Sequence, residues 1–177
     1  HQTGRIGRRQ LRAIAQAYSD HPEKTIVVVM HHPPEHPPGS DKRLMRHAGR
    51  GIAALARAGA DIVLSGHLHD AHVAPLTAAP GVLLVQAGTG LSTRLRADPN
   101  AVNLLEIAPG AVRVDRWAAF DAPEFRVVET ARFRRDLARP DAPWEMEAHR
   151  PDPGIGPAPE EGGPPPGEGR PVEGQST

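Results

Sequence analysis

"VVVMHHPP", residues 27–34, and "IVLSGHLH", residues 62–69, decide how this chain is interpreted. Each is an apolar run that ends in two histidines, and the β-branched residues in it are typical of a buried strand. The region between them, residues 41–58, has the apolar spacing of a helix, which Ser40 or Asp41 can cap at its start. Gly59 suits the position after its end. The order of strand, helix and strand predicts a βαβ unit with parallel strands and a right-handed crossover.

Histidines follow the carboxyl ends of both predicted strands. Parallel strands end at the same edge of a sheet, and neighbouring strands lie about 5 Å apart, so His31 and His67 are expected on one rim. Residues two apart in an extended segment share a face, which adds His69, and Gly66 gives the backbone freedom to turn beside an ion. Neutral imidazole suits Zn, Fe, Mn, Co or Ni. The pattern therefore predicts a metal site built from these three histidines.

Three neighbouring residues are further candidates, each with two open interpretations. His32 either faces the substrate or supports its loop. Asp70 either orients a metal-binding imidazole by accepting a hydrogen bond from it or is an ordinary turn aspartate. Arg94, in the stretch 88–94, could reach a phosphate, but the glycines of that stretch more simply indicate a turn.

Composition excludes several classes of protein. The 177 residues include no cysteine, so thiolate metal sites, disulfides and cysteine nucleophiles are excluded. Lys and Arg together number 21, as do Asp and Glu, which disfavours a dedicated nucleic-acid binder. No apolar run has the length of a membrane span and no signal peptide opens the chain, so we expect a cytoplasmic protein. The first residue is His, which indicates a processed chain or a fragment of a longer one.

Beyond His69 the pattern favours strands. Apolar runs continue to about residue 134, and a Pro-Gly turn at 109–110 separates two of them as a hairpin would. From residue 140 onward Pro, Gly and Glu dominate. We therefore predict one domain over residues 1–139 and a disordered, dispensable tail over residues 140–177.

The two histidine motifs resemble the last two motifs of the calcineurin-like metallophosphoesterases, a strand-end H-x-P and a strand-end G-H-x-H separated by a helix. The stretch 85–107 is similar to the segment that follows in bacterial members, including those akin to class III cyclic-nucleotide phosphodiesterases. The resemblance covers roughly residues 4–135. It implies an α/β fold, a two-sheet β-sandwich flanked by helices, of which this chain is the C-terminal portion.

The resemblance also implies roles for the histidines. His31 and His67 would bind one divalent ion and His69 a second, with Mn, Fe and Zn as the leading candidates. A hydroxide activated by both ions would attack the phosphorus of a small phosphoester substrate. The family's first half carries D-x-H, G-D-x-x-D and G-N-H-D/E, and none of these precedes Val27. The chain is therefore expected to be N-terminally incomplete and inactive alone, with no catalytic residue assigned beyond the open role of His32.

Two alternatives remain. The chain could be a non-catalytic or mononuclear module that holds a metal by three imidazoles. It could also be a structural or interaction protein that keeps the fold without the chemistry. The substrate and the oligomeric state are not readable from the sequence, and no nucleic-acid or membrane partner is indicated.

Overall fold

The computed structural model describes residues 6–36, 47–91, 99–120, 124–139 and 141–152. Within these ranges the chain forms two helices and eight strands. The helices are α1 (Arg8–Asp20) and α2 (Ala48–Arg57). The strands are β1 (Val27–Val29), β2 (Ile62–His69), β3 (His72–Leu76), β4 (Ala79–Gly88), β5 (Asn100–Ala108), β6 (Ala111–Ala119), β7 (Arg126–Arg134) and β8 (Glu145–Pro151).

The first four strands form sheet A, in the order β1-β2-β4-β3. β1, β2 and β4 are parallel, and β3 runs antiparallel to β4. Val27 lies opposite Ile62, so the predicted pairing of the two strands is confirmed. The helix between them is α2, and Gly59 follows it with a φ of 84°, the left-handed conformation that glycine adopts at low cost. Because β1 and β2 are parallel neighbours, the residues that follow them lie at one edge of sheet A.

The last four strands form sheet B, in which every strand is antiparallel to its neighbour and the order is the chain order, β5-β6-β7-β8. The predicted Pro-Gly turn joins β5 to β6, and Gly110 has a φ of 66° there. Alternation along β6 places Val112 and Val114 in the core, while Arg113 between them stays partly exposed. This is the pattern of a sheet with one buried face.

The layers are helices, sheet A and sheet B. One core cluster joins α2 to sheet A and includes Leu55, Val63 and Leu84. A second cluster lies between the sheets and includes Ile62, Val85, Val114 and Phe133. Neighbouring residues Ile62 and Val63 thus face opposite layers, as the period of a strand requires. The predicted α/β class, with two sheets and flanking helices, is confirmed.

The sequence prediction for β1 is wrong in one respect. A continuous valine run suggested a strand covered on both faces, but β1 is three residues long and lies at the edge of sheet A. Val29 is 77% exposed and Val27 is 38% exposed. The run is apolar because Val28 packs against the helix-side cluster, not because both faces are buried.

The prediction of a disordered tail from residue 140 is wrong for residues 141–152. β8 pairs with β7, and Ala142 and Trp144 are buried. The indole Nε1 of Trp144 donates to the main-chain oxygen of Asp61 at 3.2 Å, and its main-chain N–H donates to Pro80 at 2.9 Å. A single tryptophan therefore fastens this segment to sheet A, although the segment as a whole is polar.

Three sequence predictions lie outside the described residues. They are the capping of α2 by Ser40 or Asp41 together with its start at 41–46, the turn or phosphate contact at Arg94, and the disorder of residues 153–177. Neither described helix combines the length and the apolar character that crossing a bilayer requires.

Candidate metal centre

Three histidines form a group at the carboxyl ends of β1 and β2. His31 and His32 follow β1, and His67 lies near the end of β2. Each offers one ring nitrogen, and these three atoms all lie within 4.8 Å of one another. Main-chain hydrogen bonds hold the two segments together: Met30 N donates to Leu64 at 2.9 Å, and Gly66 N donates to His31 at 3.2 Å. The parallel pairing of β1 and β2 thus extends to the residues that bring the imidazoles together.

One contact in the group joins His31 Nε2 and His67 Nδ1, which are 3.1 Å apart and hydrogen bonded. Zinc–nitrogen bonds of about 2.0–2.1 Å place two ligands of a tetrahedral ion about 3.3–3.4 Å apart. The separation of these two nitrogens therefore suits an ion between them after a small movement. One ring must also move its proton to its other nitrogen, because a metal ligand needs a free lone pair.

The third imidazole lies against the same pair. The ring centroid of His32 is 4.9 Å from that of His31 and 4.3 Å from that of His67. With ligand atoms up to 4.8 Å apart, the group is wider than a tetrahedral site and has to contract on binding. His31 and His67 are exposed and His32 is partly buried, so an ion can reach the group from solvent.

The backbone of β2 is strained where these histidines lie. His67 has a φ of 75° and His69 a φ of 69°, left-handed values that cost a non-glycine residue about 1–3 kcal/mol each. Leu68 between them is fully buried. The pairing of β2 with β4 is irregular from Ser65 to His69, which accommodates these two residues. Strain of this kind is concentrated at functional sites.

This geometry corrects the role expected of Gly66. Among the described glycines only Gly59 and Gly110 have positive φ, so the sharp turn is made by the histidines themselves. A Cβ added to Gly66 would meet nothing within 4 Å. Neither the turn nor crowding therefore requires glycine at that position.

The structure does not bring His69 into the three-histidine group. Its Nδ1 lies 2.9 Å from the hydroxyl of Thr89, which follows β4. Because β4 is parallel to β2, Thr89 stands on the same edge of sheet A. Sequence reasoning missed this residue, although a polar side chain directly after a third parallel strand is the signal that identified the histidines.

Asp70 is exposed, and its main-chain oxygen accepts a hydrogen bond from Gln86 Nε2 at 2.6 Å. Gln86 is fully buried. The turn after His69 is therefore fastened to β4 through the main chain. Gln86 was not a sequence candidate because a glutamine within an apolar run gives no indication of its partner. Arg94, the remaining candidate, lies outside the described residues.

The donor set fits one ion better than two. The group contains three imidazoles and no carboxylate. Two divalent ions a few ångströms apart repel strongly, and an anionic bridge normally offsets this repulsion. The described residues therefore suit a single ion held by three neutral nitrogen ligands, a number that leaves a fourth tetrahedral position for water.

The group lies on an open rim, since His31 and His67 are exposed, and two cavities in the described part of the chain are lined by other residues. The larger, about 720 Å³, is lined by residues that precede β1 and β2, such as Thr25 and Asp61, and so lies at the amino ends of these strands. The smaller, about 240 Å³, lies between the sheets and is lined by His72, Arg116 and Glu129 among others.

His72 lines the smaller cavity and is partly buried. Burial lowers the pKa of His72, and the carboxylates of Glu35 and Glu129 partly offset this effect. The neutral imidazole is therefore favoured in the folded chain.

No protein-family model and no curated protein matches the chain. Among solved structures, it is similar to wild-type Vps29 complexed with Zn²⁺ from Entamoeba histolytica, at 19% identity and a TM-score of 0.37, over 59% of this chain and 53% of that one. A single mutant of Vps29 from the same organism matches at 14% identity and a TM-score of 0.32, over 82% of this chain and 91% of that one. The chain thus spans about half the length of the first of these structures.

Proposed function

We propose that this chain binds a divalent metal ion through His31, His32 and His67 and forms the histidine half of a metal-dependent phosphoesterase centre. The observation that supports the metal site is the convergence of three ring nitrogens within 4.8 Å at the ends of two parallel strands. The motif order H-x-P then G-H-x-H supports the reaction class. In this proposal Mn, Fe and Zn are the leading ions, because imidazole suits all three.

The residues of the chain have distinct roles in this proposal. His31 and His67 bind the ion from the two strand ends, and His32 completes the nitrogen set. An ion held there would supply an activated water and polarise a phosphoryl oxygen. His69 lies on the same edge of sheet A, where its ring is 2.9 Å from the hydroxyl of Thr89. It is proposed as a ligand of a second ion, whose anionic ligands come from residues other than these histidines.

The first experiment measures zinc binding to the 177-residue chain by competition with a chromophoric chelator. We expect one ion per chain, and we expect His67→Ala to weaken binding by at least about tenfold because it removes one of three ligands. His21→Ala is the matched control, since His21 is exposed and lies outside the group. Zinc binding that is unchanged in His67→Ala would refute the proposed site.

The second experiment separates a phosphoesterase half that needs a second ion from a self-contained mononuclear site. The chain alone should not hydrolyse bis(p-nitrophenyl) phosphate with added Mn²⁺, because its described group has no anionic bridge for a second ion. Clear metal-dependent hydrolysis by this chain, lost in His67→Ala, would contradict the requirement for two ions and favour a self-contained mononuclear site. That site is the second candidate, and the carboxylate-free donor set favours it.

A further inference from the structure

The loop that follows β1 carries two of the three proposed ligands, His31 and His32, and its main-chain hydrogen bond to β2 is made at His31, from Gly66 N at 3.2 Å. Two prolines follow, Pro33 and Pro34, and both are buried. Proline fixes its own φ and restricts the residue before it to extended conformations, so the backbone of His32 has little freedom. A contact beyond the prolines would restrict the loop from its other side.

Glu35 provides that contact. Its carboxylate accepts the main-chain N–H of Thr77 at 3.0 and 3.2 Å, one distance to each oxygen. It also accepts the hydroxyl of Thr77 at 2.6 Å. Hydrogen bonds to an ionised acceptor are stronger than neutral ones. One side chain thus receives both donors of a residue that is 42 positions away in the sequence.

The position of Thr77 makes this contact informative. Thr77 lies in the turn between β3 and β4, and β3 is the edge strand of sheet A opposite β1. The contact therefore joins the loop after one edge strand to the turn beside the other. The contact can affect the proposed ligands, because Glu35 is only three residues from His32. The buried prolines fix the chain between these two residues.

We infer that Glu35 is a positioning residue, whose hydrogen bonds to Thr77 hold His31 and His32 in the arrangement that binds the metal ion. The inference rests on the proposed metal site and adds a residue that the site alone does not include. Glu35 does not belong to the three-histidine group, so it acts through the loop and not on the ion. Removing Glu35 should leave all three ligands present but make the distances between their ring nitrogens less well defined.

The test measures zinc affinity of the full chain in variants of both partners. Glu35→Ala should weaken zinc binding, by up to about the tenfold lost when a group that hydrogen bonds directly to a metal ligand is removed, because Glu35 acts on the ligands through the chain and not by direct contact. Glu35→Gln, which keeps one acceptor oxygen, should lie between Glu35→Ala and the unaltered chain. Thr77→Val removes the hydroxyl and should weaken binding, whereas Thr77→Ser retains it and should restore normal affinity. Glu23→Ala, an exposed glutamate before β1, is the matched control.

Two further measurements distinguish positioning from a structural role. The Co²⁺ absorption spectrum should change in Glu35→Ala, because it reports the ligand geometry, while the metal-free stability of Thr77→Val should be close to that of Thr77→Ser. Zinc affinity that is normal in both Glu35→Ala and Thr77→Val overturns the inference and leaves the metal site intact. If the unaltered chain binds no zinc, the proposed site itself fails. If Glu35→Ala does not fold, the Thr77 pair decides.

Discussion

Ending the chain at Arg139 should unfold it or leave it marginally stable. The change removes β8 and, with it, Trp144, which is 3% exposed. The indole lies in the cluster between the two sheets, donates to Asp61, and has the guanidinium of Arg135 over its ring at 4.8 Å. Losing it leaves a hole between the sheets and removes one of the two hydrogen bonds to the main-chain oxygen of Asp61, which still accepts the main-chain N–H of Leu83 at 2.9 Å.

The magnitude follows from the buried area. A tryptophan side chain buries about 150–250 Å², which at about 25 cal/mol per Å² corresponds to roughly 4–6 kcal/mol. Measured losses for Trp→Ala in protein cores are about 3–5 kcal/mol. A domain of this size has a total stability of about 5–15 kcal/mol. Trp144→Ala alone should therefore remove a large fraction of it.

Urea unfolding followed by circular dichroism checks this expectation. The control is a chain that ends at Asp152, which keeps β8 and should unfold at the same urea concentration as the full chain, because residues 153–177 offer little apolar surface to bury. Met146→Ala, on the exposed side of β8, is the matched substitution. If the chains ending at Arg139 and at Asp152 unfolded at equal urea concentrations, the reasoning about Trp144 would be wrong.

Three further predictions concern other positions. Because burial lowers the pKa of His72 below 6.5, the unfolded chain takes up a proton before the folded chain does. Stability should fall as the pH drops below about 6.5, and His72→Gln should reduce this slope in urea titrations at several pH values. Asp61→Ala leaves Arg135 without its ion pair, so we expect thermal unfolding to show a loss of about 3–5 kcal/mol. Gly59→Ala, at a φ of 84° and in collision with the ring of Tyr18, should cost at least about 1–3 kcal/mol in the same assay, whereas Gly66→Ala should cost much less.

Local patterns were sufficient to predict much of the fold. The parallel pairing of β1 with β2, the helix between them and the β5–β6 hairpin all follow from runs of apolar residues and from turn residues between them. Each of these signals lies within a few residues of the element that it specifies. The same reasoning failed at Trp144, because one buried side chain in a polar segment changes the average composition of that segment very little.

The part of the site that depends on where strands end was predictable from the sequence. The part that depends on the backbone conformation of single residues was not. His31 and His67 come together because two parallel strands end there. The expected face shared by His67 and His69 presumes a regular strand, but both residues adopt left-handed conformations and His69 contacts Thr89 instead. Glu35 could not be found from the sequence, because its partner is defined only when sheet A has formed.

The different construction of the two sheets has a consequence for how the protein reaches its native state. In sheet B each strand pairs with the next one along the chain, so its contacts are local and should form early. The imidazoles of His31 and His67 meet across 36 residues, and Glu35 meets Thr77 across 42, so these contacts require closure of long loops and should form late. An ion present from the start of refolding meets ten histidines on an unfolded chain, and some of these can bind it in non-native combinations. Refolding in the presence of a chelator, with the metal added afterwards, should therefore give the higher yield of correctly loaded protein.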